Sequence, residues 1–440
     1  MKANLRDSKP ARLLSWIVAA VLCLLPFHAL LTTWLTSNFG HPDLFRIWKE
    51  MLIVLSLPLV FWLVLRDKNL RQWFARSSIV RLVGLYILIH LALGLWALKT
   101  DRVNSAALVY ALGINLRFFG FFLVCLVAAA TSSLLVRQWP KIVLWPAAIV
   151  IAFGLAQHYL LSDDFLKHFG YGPKTILPYE TVDANSRYIR VQSTLRGANP
   201  LGAYLVLVVP AGLAMLRHKV VTCILFALAG GVLLFYSYSR SAWLGTAMAA
   251  VVLFWLLWQH LPRWWVVSLA ALIVLFAGSI YGLRSDQSVQ DIFFHTSRSS
   301  MSPKSSNVVR GSAIKDALND VWHQPLGRGP GTAGPASFRN NHSARIAEDY
   351  YLQIAQEVGV IGLAIFLSVV LLTAKQLWLL RQGTLAKVLL ASLVGISFVN
   401  LVSHAWADDT LSLLWWGLAG VACAPAITTA MRRPAHRRSR

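Results

Sequence analysis

Carboxylates are scarce in this sequence: 18 Asp and Glu stand against 41 Lys and Arg among 440 residues, and charged residues of both signs amount to 13%. So little charge beside 57% hydrophobic residues excludes a soluble globular chain. The acids between apolar runs are scattered (Asp163, Asp164, Asp183, Asp286, Asp291, Asp316, Asp320) and no clustered His pair accompanies them. That scatter predicts a site that works without a divalent metal. Cysteine is scarcer still. Cys23, Cys125, Cys223 and Cys423 all lie in apolar runs as small buried hydrophobes, with neither a disulfide framework nor metal-type spacing. No repeat of fixed short period is present, and no matched pair of broken helices of the transporter kind stands out.

What is abundant is unbroken apolar sequence. A helix needs about 20 apolar residues to cross the hydrocarbon core. Twelve such runs begin near Leu13, Trp48, Ile79, Ala107, Ile142, Pro200, Val220, Ala242, Trp265, Tyr350, Ala386 and Leu411. In lipid a helix satisfies its backbone within one segment, and these runs lack the alternation of membrane strands. The expected fold class is therefore an all-α polytopic membrane protein of about twelve transmembrane helices, one integral domain over residues 1–440.

The formal net charge of +23 sits between the runs and at the ends. Lys2, Arg6, Lys9 and Arg12 precede the first run, which has no small-residue cleavage site and reads as an anchor. Alternation from a cytoplasmic amino terminus collects Arg66/Lys68/Arg71/Arg76, Arg137/Lys141, Arg217/Lys219, Arg263, Lys375/Arg381/Lys387 and the basic tail 432–440 on one side. This is the positive-inside pattern. It predicts both termini in the cytoplasm of a bacterial cell, a multi-pass inner-membrane location, and membrane lipids rather than nucleic acid as partners of the charge.

Two long loops, 162–199 and 284–349, fall on the opposite, periplasmic side. The second contains a helix-like stretch, Gly311 to Trp322, ended by Pro325 and the turn-rich Gly327-Arg328-Gly329-Pro330-Gly331. Positive charge on this side runs against the short-loop bias, and a planar guanidinium matches phosphate with paired hydrogen bonds. Arg196 lies where the first loop re-enters the membrane, Arg240 between two apolar runs with almost no loop, and Arg310 at the start of the helix-like stretch. Snorkelling to lipid headgroups is the plain alternative for each. Ser239 and Ser241 add neutral donors beside Arg240, and Ser is also a common helix cap. Arg117 interrupts an apolar run and is expected to face the bundle interior, either touching a lipid phosphate or tying helices together. His342 is a candidate proton acceptor for a sugar hydroxyl, with Glu348 and Asp349 as alternatives at the membrane edge.

Four stretches make the chain resemble the bacterial O-antigen ligases, which share a membrane domain with O-antigen polymerases and some O-linked oligosaccharyltransferases: RGANPLGAYL at 196–205, YSRSAWLG at 238–245, RGSAIKDALNDVWHQPLGRGPG at 310–331 and YLQIAQEVGVIGL at 351–363. The resemblance covers roughly Arg196 to Leu363, and its second and fourth pieces are the most specific. It implies a GT-C-like bundle with a long, partly helical periplasmic loop. It also implies an undecaprenyl-diphosphate-linked O-antigen donor, a lipid A core oligosaccharide acceptor, and inverting transfer without nucleotide sugar, metal or other cofactor. Carried onto matching positions, Arg196 and Arg240 bind the diphosphate with Arg310 as a third match; Asn199, Ser239, Ser241 and Arg117 are the candidate supporting residues of this sequence. In the family nine residues separate a His followed by Asn, Ser or Gln from the Gly-x-x-Gly of the last piece, and here that spacing lands on Glu348-Asp349. His342-Ser343, six residues earlier, has the expected dipeptide. His342 is the preferred base and Glu348 the substitute. A polymerase, an oligosaccharyltransferase acting on protein hydroxyls and an anion transporter are the competing readings.

Overall fold

The computed structural model describes residues 7–183, 185–257 and 306–430, with scattered positions between 267 and 291. The run near Trp265, together with Lys2, Arg6, Arg263, Arg284 and the basic tail 432–440, lies outside the described residues. The helices are α1 (Lys9–Leu24), α2 (His28–Phe39), α3 (Pro42–Arg46), α4 (Trp48–Arg66), α5 (Lys68–Arg76), α6 (Ser78–Lys99), α7 (Ser105–Thr131), α8 (Leu134–Tyr159), α9 (Ala198–Leu216), α10 (Val220–Tyr236), α11 (Arg240–Leu257), α12 (Ser306–His323), α13 (Tyr350–Leu379), α14 (Thr384–Asn400) and α15 (Asp409–Ala430). Among the described residues eight segments are long and apolar enough to cross a membrane, α1 and α2 counting as one, while α10 and α14 are apolar but shorter. Every expected run except that near Trp265 falls on one of these helices. The protein is all-α and polytopic.

The first long loop holds an element that the sequence pattern did not indicate, an antiparallel hairpin of β1 (Glu180–Val182) and β2 (Asn185–Arg190) with Glu180 opposite Arg190. In the second, the helix-like stretch is α12, longer at both ends than the sequence suggested.

The core lies where α7 meets α15. Phe118, Phe119, Trp415 and Trp416 are fully buried there, Trp416 standing edge-on to Phe119 at 4.8 Å between ring centroids. Between α11 and α14 the backbones themselves approach, because a side chain at Gly395 would run into the Gly245 carbonyl. The outward faces of α4 and α6 carry exposed Val54, Leu55, Phe61 and Leu88, the composition lipid tails favour.

Two helices break inside the bundle. Between α1 and α2 the chain passes through a 3-10 turn at Leu25–Phe27, where Pro26 has no amide to continue the helix and the His28 amide donates to the Leu25 carbonyl. Thr410 donates to the Leu25 carbonyl at 3.2 Å and Thr194 to the Pro26 carbonyl at 2.8 Å. In α13 the chain leaves helical geometry at Val358 and Gly359, the latter at φ +72°. The Arg328 and Gly329 amides donate to the Gln356 and Glu357 carbonyls at 2.9 and 2.8 Å, and the Val360 amide to the Pro325 carbonyl at 2.9 Å. Backbone freed in an apolar interior must be satisfied internally. Here the partners come from the segments that lead into the candidate site.

Candidate functional site

Arg196 stands on a rigid turn. The three residues at 192–194 are buried but polar, which costs free energy unless each finds a partner. Gln192 donates to the Leu177 and Pro178 carbonyls, Ser193 to the Val150 carbonyl and Thr194 to Pro26. With the turn pinned to α8 and the α1–α2 break, Arg196 projects into a cavity of about 790 Å³ that it lines with Arg117, Tyr110, Lys49, Asp409 and Arg339, among others. Arg196 is accessible from the cavity, yet its enclosure by surrounding protein works against its charge; Asp408, Asp409 and a hydrogen bond with Tyr110 outweigh this and hold the guanidinium above its ordinary value.

The wall of this cavity is a charge network. Lys49, with a side chain only 2% exposed, places Nζ 2.9 Å from Asp409 Oδ2 and 3.3 Å from Glu50 Oε2. Glu50 reaches Arg117 Nη1 at 3.3 Å, and Arg117 Nη2 donates to the Ala407 carbonyl at 3.1 Å. Arg117 therefore faces the interior cavity, and of the two roles the sequence left open it has the partners for tying α7 to α4 and to the turn before α15. The Trp48 indole, a donor only, bonds His28 Nδ1 at 2.9 Å, so the ring proton sits on Nε2 and points to Asp409 Oδ2 at 3.1 Å.

A second cationic group gathers on the other side of the amino terminus of α9. Arg190 pairs with Glu180 at 3.3 Å and donates to the Ser237 carbonyl at 3.0 Å and to Asn199 Oδ1 at 2.6 Å. Arg240, the first residue of α11, feels the charges of Arg190, Arg310 and Asp183. Arg310 on α12 pairs with Glu348 at 3.7 Å. Ser239 is buried where α11 crosses α9 at Gly202, and Ser241 is half-buried on the first turn of α11. His404 lies beside Arg310. Burial, with that guanidinium adding to it, pushes His404 down to about 4, so its ring is neutral near pH 7.

His342 lies with neither arginine pair directly. Its loop is laced to the α6–α7 turn: Asn104 donates to the Arg339 carbonyl at 2.8 Å, and His342 Nε2 meets the Asp101 carbonyl at 2.7 Å. A carbonyl only accepts, so the proton is on Nε2 and the Nδ1 lone pair is left free on an exposed ring. Asp101 holds φ +52°, a left-handed turn that aims its carbonyl. Three residues before His342, the Arg339 guanidinium stacks 3.9 Å from the Tyr110 ring centroid. Tyr110 thus touches Arg339 and Arg196 together. The structure groups Arg196, Arg117 and the His342 loop at the cavity, and Arg240, Arg310, Glu348, Ser239 and Asn199 across the start of α9.

The glycine-rich turn and the last sequence piece prove to be one unit. Glu357, wholly buried, accepts from the Gly331 amide and from Asn115 Nδ2, each at 2.7 Å. Asp320 of α12 is bonded by Arg345 at 2.9 Å and by Gln356 at 3.0 Å. These contacts seat the second loop on the broken α13. Residues 224–367 match the O-antigen ligase family. The matched stretch contains Arg240, Arg310, Glu348 and His342, whereas Arg196, Arg117 and the residues 404–409 lie outside it. A comparison with curated proteins gives no match.

Sequence reasoning missed Lys49, Glu50, Asp408, Asp409 and Arg190. A signal was present for most of them, since Lys49-Glu50 and Asp408-Asp409 are charged pairs at the mouths of apolar runs in a chain poor in acids. Arg190 carried none, because only the hairpin brings it to Arg240.

Proposed function

We propose that the chain is an O-antigen ligase that moves a glycan from undecaprenyl diphosphate to the lipid A core oligosaccharide at the periplasmic face of the bacterial inner membrane, with inversion and without metal. The observation that carries this reading is the contact of Tyr110 with both Arg196 and Arg339, which sets a diphosphate-binding arginine beside the loop of a histidine whose acceptor nitrogen is free. In the proposed reaction the acceptor hydroxyl oxygen forms a bond to the anomeric carbon while the bond from that carbon to the diphosphate oxygen breaks. The hydroxyl proton passes to His342 Nδ1, and the Asp101 carbonyl supports the imidazolium that forms. Arg196 and Arg240, flanking the start of α9, stabilise the negative charge gathering on undecaprenyl diphosphate. Arg117 helps to hold Arg196's surroundings, and Arg310 holds Glu348.

The test is transfer in chelator by the purified chain supplied with lipid-linked glycan and lipid A core, read by gel shift of the lipopolysaccharide. A positioned base contributes roughly 10²–10⁴-fold, so His342→Ala should lose activity on that scale. An active His342→Ala beside an inactive Glu348→Gln would transfer the base to Glu348. Extension of the lipid-linked donor without any attachment to lipid A would make the protein a polymerase, and modification of a protein hydroxyl would make it an oligosaccharyltransferase.

A further inference from the structure

Two arginines beside His342 take no chemical step in the proposed reaction. Arg339 and Arg102 hold their guanidinium carbons over the Tyr110 and Trp96 rings, 3.9 and 4.3 Å from the centroids. Both are exposed, and among the described residues neither has a carboxylate within ion-pair distance. Five hydrogen bonds fuse the segments that carry them: Asn104 Nδ2 to the Arg339 carbonyl at 2.8 Å and to Asn341 Oδ1 at 2.9 Å, the Asn104 amide to Asn340 Oδ1 at 3.2 Å, Asn340 Nδ2 to the Arg102 carbonyl at 2.9 Å, and His342 to the Asp101 carbonyl at 2.7 Å. The two guanidinium groups thus belong to one platform. Stacking on a ring face engages the flat of a guanidinium and leaves its in-plane N–H donors outward, in the fork that fits a phosphate.

Resting on the ligase reading, we infer that this platform is a subsite for phosphate groups on the acceptor oligosaccharide. The donor diphosphate has Arg196 and Arg240. A hydroxyl that meets His342 Nδ1 belongs to a sugar whose neighbours extend over the exposed surface next to it, and Arg339 and Arg102 are the cations there. A neutral glycan gives two unpaired, stacked guanidinium groups nothing to bind. Arg339 also lines the cavity with Arg196, so the platform and the reaction centre share one continuous surface.

Binding is measured on the full chain in zwitterionic nanodiscs, using core oligosaccharide released from its lipid, either phosphorylated or chemically dephosphorylated. For the phosphorylated form, Arg339→Gln and Arg102→Gln should each weaken binding about tenfold. Dephosphorylation should weaken the parent to a similar degree and make both substitutions silent. Arg339→Lys, which keeps the charge without the fork, should fall between. Equal losses with both oligosaccharides, or no loss with either, overturn the subsite. An effect seen only when anionic lipid is added assigns these arginines to headgroups and likewise overturns it. Phosphate-dependent binding with no transfer from any lipid-linked donor would leave the subsite standing and remove the ligase reading. Transfer indifferent to both substitutions and to dephosphorylation would do the reverse.

Discussion

Arg196 keeps its charge inside the protein because Asp408 and Asp409 face it and Tyr110 bonds it, while its turn is held by Gln192, Ser193 and Thr194. Loss of one preorganised donor at a developing anion costs roughly 10²–10³-fold in kcat. Arg196→Ala should fall in that range, and Arg196→Lys should recover only part, since an ammonium lacks the paired donors. An unchanged rate would remove Arg196 from the reaction. Lys49 is the structural counterpart: its removal takes away the closest cation to Asp409 and leaves that carboxylate with His28 Nε2 at 3.1 Å. Breaking a buried pair costs roughly 3–5 kcal/mol, so Lys49→Met should lower the unfolding midpoint in detergent sharply, and Lys49→Met with Asp409→Asn should regain much of it.

His404 supplies a pH test at the same scale. Its folded value of about 4 lies below the ordinary 6.5, so the unfolded chain takes up the proton first. The stability is complete above pH 6.5 and is lost as pH falls toward 4, by roughly 3 kcal/mol for a change of that size. His404→Gln should flatten that part of the dependence of the unfolding midpoint between pH 7 and pH 4.5, and an unaltered slope would show that the ring is not held neutral.

At the scale of elements, the broken helix α13 and the glycine-rich turn stand or fall together. Gly359 has φ +72° and its added Cβ would sit 2.5 Å from the Leu326 carbonyl carbon, and one on Gly327, at φ +84°, would sit 2.5 Å from the Gly359 amide. Gly359→Ala therefore meets both backbone strain and a clash with main chain that has nowhere to go. It should release residues 325–349 from α13, seen as faster limited proteolysis after Arg328 or Arg345 and as lost transfer. Glu357→Gln is a subtler probe: the carboxylate accepts from Gly331 and Asn115 on its two oxygens, and an amide turns one acceptor into a donor facing a donor. The same proteolysis should reveal it, more weakly. Much at this scale was legible in advance. Long apolar runs have to be helices, and Gly327 to Gly331 announces a turn. The hairpin of β1 and β2 was not legible, because its short strands carry neither apolar alternation nor a marked turn, and its Glu180–Arg190 pair has meaning only once the strands meet.

For the whole molecule, the proposed orientation places α12 and the loop after it outside the cytoplasm and Lys219 inside. Trp322 is 84% exposed, and the four native cysteines are buried or half-buried. Trp322→Cys should react with a membrane-impermeant maleimide in spheroplasts, and Lys219→Cys only after the membrane is opened. The opposite pattern would invert the proposed topology and place the site in the cytoplasm.

The sequence by itself determined the class and the chemistry on offer. Lipid leaves an apolar run one way to satisfy its backbone, charge bias along the chain orders the loops, and arginines at the membrane edge in family-like stretches point to an anionic donor. Only the tertiary structure decided which of these groups share space. Arg196 and Arg240 flank α9, but their neighbours, Asp409 and Lys49 for one and Arg190 and Arg310 for the other, come from segments far away in the chain. The His342 tautomer likewise depends on a carbonyl 241 positions away, at Asp101. Such contacts are absent from any local pattern because packing of α7 against α15, and of the second loop on α13, creates them.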